Sequence, residues 1–76
     1  ALKVQKKILP RNDPATAITY NNIGSVYYKQ KKYQEALDNY SKSLKMQKKV
    51  LPKDDPAIAV TYSNIGNVYR KERKYQ

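Results

Sequence analysis

The chain has 76 residues, of which 16 are Lys or Arg and 6 are Asp or Glu, and its formal net charge is +10 without any Cys or His. The lack of these two residue types excludes disulfides and the usual ligands of structural zinc. No apolar run approaches the roughly 20 residues of a membrane-spanning helix, and lysines interrupt the apolar residues near the N-terminus, unlike in a signal peptide. We therefore expect a small cytoplasmic domain that binds no cofactor, metal or membrane.

The first predicted elements are the end of one helix at residues 1–9 and a complete helix at residues 14–30. Asp13 and Pro14 mark the start of the second, because Asp caps free backbone N–H groups and Pro fits the first helical position. One face of this helix is predicted to be buried, since its residues recur at helical spacing: Tyr20, Ile23, Gly24 and Tyr27. Gly inside a helix costs about 1 kcal/mol relative to Ala, so Gly24 and its counterpart Gly66 indicate that another helix crosses closely.

A short turn at Lys31 and Lys32 is followed by a predicted helix at residues 33–51, which Pro52 ends. Its buried face again follows helical spacing: Tyr33, Ala36, Leu37, Tyr40, Ser43, Leu44, Gln47 and Val50. A further capped start at Asp55 and Pro56 predicts a helix at residues 56–71. No segment alternates strictly between apolar and polar residues, so the predicted fold is all-α.

The chain repeats itself with a period of 42 residues. Residues 9–15 recur at 51–57 and residues 19–27 recur at 61–69, and 22 of the 34 positions are identical when 1–34 is laid on 43–76. A period of this size is typical of solenoids and repeat arrays. Because the chain starts and stops within a repeat, we expect it to be a segment of a longer array.

The repeated residues resemble the tetratricopeptide repeat, which is read as W-x-x-L-G-x-x-Y followed by A-x-x-x-F on two antiparallel helices. The two halves of the pattern appear here with aromatic-for-aromatic and Ile-for-Leu changes: Tyr20, Ile23, Gly24, Tyr27, then Ala36 and Tyr40, with the first half repeated at Tyr62, Ile65, Gly66 and Tyr69. The period exceeds the usual 34 of the family and is similar to that of kinesin light chain repeats. The resemblance implies tandem helix-turn-helix units in an α-solenoid with a right-handed superhelix.

The resemblance also implies a protein-binding scaffold, with a concave groove lined by the first helix of each repeat. Helical spacing places one set of side chains opposite the buried face: Ile18, Asn22, Ser25 and Lys29, then Val60, Asn64, Asn67 and Lys71, with Asn21, Tyr28, Ser63 and Arg70 on the flank. The amide of Asn donates and accepts hydrogen bonds, so it suits the backbone of a peptide. The cations favour acidic side chains or a carboxylate.

Other functions are open but have less support. Lysines along the predicted 33–51 helix would form a basic outer surface for nucleic acid, although the chain has only three Arg, the usual reader of bases. Of the six carboxylates, Asp13 and Asp55 are explained as caps, and no phosphate loop, triad or metal spacing occurs, so we expect no enzyme activity.

A purely structural, self-assembling array is a further alternative. The last predicted helix presents three large side chains with no following helix to cover them: Tyr62, Ile65 and Tyr69. The N-terminal segment offers apolar side chains with no helix before it: Leu2, Val4, Ile8 and Leu9. The two ends are complementary, because each offers the apolar surface that the other lacks. We therefore expect copies to associate end to end, through a head-to-tail contact that can continue from copy to copy without closing into a ring.

Overall fold

The computed structural model of the chain describes residues 13–74, and these residues form three α-helices and no strand. The helices are α1 (Pro14–Lys29), α2 (Tyr33–Val50) and α3 (Pro56–Lys74). The prediction of an all-α helical repeat is confirmed. Both α1 and α2 end one residue before the predicted ends at 30 and 51, and α3 runs three residues beyond 71. The helix predicted at 1–9 lies outside the described residues.

An aspartate side chain caps the start of both α1 and α3. The Oδ1 atom of Asp13 accepts a hydrogen bond from the backbone N–H of Thr16, and that of Asp55 accepts one from the N–H of Ala57, each at 2.8 Å. The first N–H groups of a helix have no partner within the helix. The two caps therefore fix where α1 and α3 begin.

The turn between α1 and α2 contains a residue in the left-handed region of backbone conformation. Lys31 has a φ of 63°, which is uncommon for a residue with a side chain. The backbone N–H of Lys32 donates to the carbonyl oxygen of Tyr27 at 2.9 Å. This hydrogen bond closes the end of α1 and folds α2 back along it, as in a helical hairpin.

The two helices of the hairpin pack closely at Gly24. A Cβ added to Gly24 of α1 would lie 2.8 Å from the ring of Tyr40 and 3.2 Å from the carbonyl oxygen of Ala36, both in α2. Ala36 is fully buried and Tyr40 is 2% exposed. The packing interpretation of Gly24 is therefore confirmed.

The core lies between α2 and its two neighbours. Ala36, Tyr40 and Val68 form its buried centre, and partly buried side chains surround them: Tyr27, Tyr28, Tyr33, Leu37 and Ile65. A thin layer of this kind suits Tyr, because its ring packs while its hydroxyl reaches the water boundary.

Two residues of the predicted buried faces are more exposed than we expected. Ile23 of α1 is 38% exposed and Val50, at the end of α2, is 37% exposed. The counterpart of Ile23 in the next repeat, Ile65, packs against the core that α2 supplies. Helical spacing alone gave Ile23 and Ile65 the same prediction, since it does not register which neighbours pack on each helix.

The third helix also packs against α2, so α2 contacts the first helices of two successive repeats. A side-chain hydrogen bond of 2.9 Å from Gln34 to Glu72 joins the start of α2 to the end of α3. Gly66 of α3, unlike Gly24, has no atom within 4 Å of the position of an added Cβ. The close crossing expected at Gly66 is therefore absent among the described residues, because no second helix of the next repeat lies within this part of the chain.

No helix within residues 13–74 is both long enough and apolar enough to cross a bilayer.

Candidate functional site

A cleft of about 320 Å³ separates α1 from α3, with α2 beneath it. α1 and α3 are the first helices of their repeats. Their regular spacing turns equivalent positions toward this cleft, so that Asn22 faces it from α1 and Asn64 from α3. The full lining combines amide groups with short apolar side chains: Ile18, Asn21, Asn22, Ser25, Gln47, Ala57, Val60 and Asn64.

A second hollow of about 160 Å³ continues the cleft toward the C-terminal ends of α1 and α3. The two hollows share Ser25 and Asn64. The lining of the second adds two aromatic side chains and a cation: Ser25, Tyr28, Lys29, Tyr40, Asn64 and Asn67. Together they form one groove, which we name the α1–α3 cleft.

Nine of the twelve residues predicted for the groove line this cleft, and three do not. Ser63 and Arg70 are exposed on α3, and Lys71 is half-buried, but none of the three lines either hollow. Arg70 instead donates a side-chain hydrogen bond to Asn67.

Three further lining residues were not predicted: Tyr40, Gln47 and Ala57. Tyr40 and Gln47 belong to the buried face of α2, and a polar Gln among apolar positions was a signal that this face meets something polar. Ala57 lies in the first turn of α3, and its sequence context marks it only as part of a helix start.

Beneath the cleft, a short chain of hydrogen bonds links all three helices. We call this chain, formed by Asn21, Thr61 and Gln47, the relay. The Nδ2 atom of Asn21 in α1 donates to the hydroxyl of Thr61 in α3 at 3.0 Å. That hydroxyl donates to the Oε1 atom of Gln47 in α2 at 2.6 Å. Thr61 is fully buried and Gln47 is 2% exposed, so these bonds are shielded from water, where a missing partner is costly.

One atom of the relay has no partner among the described residues. The Oδ1 atom of Asn21 is buried and accepts no hydrogen bond from residues 13–74. Leaving a buried acceptor unsatisfied costs about 1–3 kcal/mol, which an apolar residue at this position would avoid. The presence of Asn21 is therefore better explained by the bond that its Nδ2 group makes to Thr61 than by the local stability of α1.

The second hollow is bordered by hydroxyl groups that are already fixed. The hydroxyls of Ser25 and Tyr40 lie 2.9 Å apart and share a hydrogen bond. The hydroxyl of Ser43 donates to the carbonyl oxygen of Ala17 at 2.8 Å, deeper in the contact between α1 and α2. These bonds hold α1 against α2 and leave the exposed amides and Lys29 as the adaptable groups of the cleft.

The charge of the cleft is positive. Lys29 lines it, and no Asp or Glu of residues 13–74 does. The basic residues of α2 lie elsewhere: Lys42 pairs with Asp38 at 3.4 Å and its Nζ lies 5.7 Å from the ring centre of Tyr20. The cleft can therefore offer amide hydrogen bonds along its length and a cation toward one end.

The chemistry available elsewhere in residues 13–74 is limited. No group of three or more His, Cys, Asp or Glu side chains in that range could hold a metal ion. A third hollow, of about 220 Å³, lies at the corner between α2 and α3 and is bordered by Lys48, Lys53, Ile58 and Tyr62. It was not predicted from the sequence.

The similarity of this chain to known proteins agrees with the geometry. Protein HGV2 of Halocynthia roretzi is 42% identical over 43 residues, a stretch that covers 57% of this chain and 8% of that protein. The chain thus spans a small part of the length of this relative. No solved structure matches the chain. The family model described as tetratricopeptide repeat matches residues 1–76. With its paired helices and the Gly24 contact on Tyr40, the chain belongs to the tetratricopeptide repeat family.

Proposed function

We propose that the chain is a protein-binding scaffold whose α1–α3 cleft takes an extended, acidic segment of a partner protein. The observation that carries the proposal is the lining of the cleft. Asn22 and Asn64, at equivalent positions of the two repeats, face it together and Lys29 adds a positive charge. No carboxylate from the described part of the chain lies there. Tetratricopeptide repeats generally mediate protein–protein interactions and are typically non-catalytic, which supports the same conclusion.

The chemistry of the lining favours a peptide backbone as the main contact. An Asn amide can donate to a peptide carbonyl and accept from a peptide N–H at once. Amides spaced by one repeat would bind successive parts of an extended chain with little dependence on its side chains. Ile18 and Val60, which are 56% and 55% exposed, offer apolar contacts beside the amides. Specificity for acidic segments would come from Lys29.

The charge preference is tested by Lys29→Glu. We expect this change to weaken the binding of a short acidic peptide about tenfold at low salt, since an attraction of up to about 1 kcal/mol becomes a repulsion. The difference should shrink as added salt screens the charges. The matched control is Lys45→Glu, because Lys45 is exposed on α2 and does not line the cleft. Fluorescence anisotropy of a labelled peptide measures both variants.

Two outcomes of this experiment would contradict the proposal. Equal losses in Lys29→Glu and Lys45→Glu would indicate diffuse attraction to the +10 chain rather than binding in the cleft. Binding of a DNA or RNA oligonucleotide that falls steeply with salt, and that depends on Lys45 and Lys49, would favour the nucleic-acid alternative. Asn22 and Asn64 have no part in that alternative.

We also propose that isolated copies of the chain associate end to end through the outer face of α3. Tyr62 is 50% exposed and Tyr69 is 55% exposed, and the surface at Gly66 is open. Ile65, which we also expected to be uncovered, is half-buried against the core and contributes less. The proposed partner surface, formed by Leu2, Val4, Ile8 and Leu9, lies outside the described residues.

Association should depend on protein concentration and on the two exposed tyrosines. We expect the apparent mass in sedimentation to rise with concentration, and the combined change Tyr62→Ser and Tyr69→Ser to reduce the rise, since less apolar area is removed from water. Substituting Tyr20, the half-buried counterpart of Tyr62, would instead damage the hairpin, so helicity by circular dichroism is the check on folding. A monomer whose mass is independent of concentration would contradict end-to-end association.

A further inference from the structure

Thr61 occupies the same position in its repeat as Thr19, but its hydroxyl makes two further hydrogen bonds. Each hydroxyl lies 3.2 Å from the carbonyl oxygen four residues earlier, at Ala57 and Ala15 respectively. Thr61 in addition accepts from Asn21 and donates to Gln47. Thr19 is exposed whereas Thr61 is fully buried. Two chemically identical residues thus differ because, among the described residues, a second repeat packs at Thr61 and none packs at Thr19.

The partner of Thr61 differs between the repeats too. The position of Asn21 is occupied by Ser63 in the second repeat, although most neighbouring positions are identical. A Ser side chain is shorter than Asn and has no amide to extend across the interface. The residue that makes the contact from α1 to α3 is therefore present as Asn21 in the first repeat and is replaced by Ser63 in the second.

We propose that Asn21 is a positioning residue that sets the separation of α1 and α3, and hence the width of the cleft, by its hydrogen bond to Thr61. This inference rests on the proposed function for its consequence, which is that a peptide binds more tightly when the cleft has a fixed width. Asn21 was expected to contact the partner itself. It borders the cleft, but one N–H of its Nδ2 group is donated to Thr61 and its Oδ1 atom is buried, so the role we assign to it is to hold Thr61.

The relay also explains how the width can be held. Gln47 on α2 fixes the Thr61 hydroxyl from below, and α2 is the helix against which both α1 and α3 pack. Three helices are then tied at one buried point beneath the cleft. Pre-organising a binding surface in this way lowers the entropic cost of binding. The loss of a side chain from the relay should loosen α1 against α3 without removing the packing of either helix on α2.

The test measures the separation of α1 and α3 without a ligand. The chain has no Cys, so spin labels can be attached at Cys introduced at Val26 and Arg70, which are exposed on α1 and α3. We expect Asn21→Ala to broaden the distance distribution obtained by electron paramagnetic resonance. Thr61→Val should broaden it at least as much, since it removes the same bond and also the bond to Gln47, and the double variant should broaden it no further than Thr61→Val alone. Thr19→Val is the matched control and should leave the distribution unchanged.

The same variants, without labels, are then titrated with the short acidic peptide. Asn21→Ala and Thr61→Val should each weaken binding about tenfold, and Thr61→Ser, which keeps the hydroxyl, should retain both affinity and separation. Should Thr61→Val fail to fold, Asn21→Ala and Thr61→Ser still decide the question. A weaker affinity with an unchanged distance distribution would mean that Asn21 contacts the peptide directly, and the positioning role would be wrong.

The failures of the two proposals are distinguishable. A distribution that broadens in Asn21→Ala, in a chain that binds no acidic peptide, would leave the positioning role standing and remove the proposed function. An unchanged distribution in Asn21→Ala and in Thr61→Val would overturn the positioning role, whatever the peptide does.

Discussion

Replacing Gly24 with Ala should destabilise the chain, whereas the same replacement at Gly66 should stabilise it. The two glycines occupy equivalent positions 42 residues apart, and both changes gain the same helix propensity, about 1 kcal/mol. At Gly24 the new methyl group would lie 2.8 Å from the ring of the buried Tyr40, and at Gly66 it would meet nothing within 4 Å. The shared gain cancels in the comparison, so the difference isolates the cost of overpacking.

We expect Gly24→Ala to have a free energy of unfolding about 1–3 kcal/mol lower than Gly66→Ala, which is the usual cost of forcing an extra carbon into a packed site. The ring of Tyr40 cannot move aside cheaply, because it is 2% exposed and its hydroxyl is bonded to Ser25. Urea unfolding followed by circular dichroism at low protein concentration measures both variants. Equal stabilities would show that the close contact of α1 with α2 is not what requires Gly24.

Removing the two cleft amides together should strongly weaken peptide binding. We expect Asn22→Ala with Asn64→Ala to weaken the binding of an acidic peptide about 10- to 100-fold, since each hydrogen bond contributes about 0.5–1.5 kcal/mol. Asn22 is exposed and Asn64 half-buried. Neither side chain makes a hydrogen bond within residues 13–74 whose loss would destabilise the fold. The helicity of the chain should therefore stay the same.

The matched control for the two amides is Asn39→Ala. Asn39 lies on α2, outside the cleft, where its Nδ2 group donates to the carbonyl oxygen of Glu35 in its own helix at 2.9 Å. Isothermal titration of the same peptide into both variants measures the difference. A loss in the control as large as that in the double variant would mean that binding does not depend on the position of the amide.

The helices were predictable because their signals are local. Asp13 and Asp55 cap their helices as the Asp-Pro pairs indicated, and Pro52 stands just beyond the end of α2. The spacing of Asn22 and Asn64 placed both on one face, the face that borders the α1–α3 cleft, since a regular helix fixes the direction of each side chain. Because the repeat period is 42 residues, each side-chain direction inferred for the first repeat was assigned to its counterpart in the second.

The properties that depend on neighbouring repeats were harder to predict. Gly24 and Gly66 have the same sequence context, yet one is covered by Tyr40 and the other is open. Thr19 and Thr61 differ in the same way. Helical spacing describes one helix at a time, so it could not show that Asn21 would turn its amide to Thr61 of another helix, or that Gln47 of α2 would reach the floor of the cleft. These contacts depend on how three helices pack together.

The most direct test of the central claim is the location of a bound peptide, measured by chemical-shift changes in a ¹⁵N-labelled chain. On addition of a short acidic peptide, we predict that the side-chain amide signals of Asn22 and Asn64 shift, together with the backbone signal of Lys29, while the side-chain signal of Asn39 does not. These are the groups that line the α1–α3 cleft and the one that lies outside it. Shifts concentrated around Lys45 and Lys49 of α2, with Asn22 and Asn64 unchanged, would contradict the claim that the cleft is the binding surface.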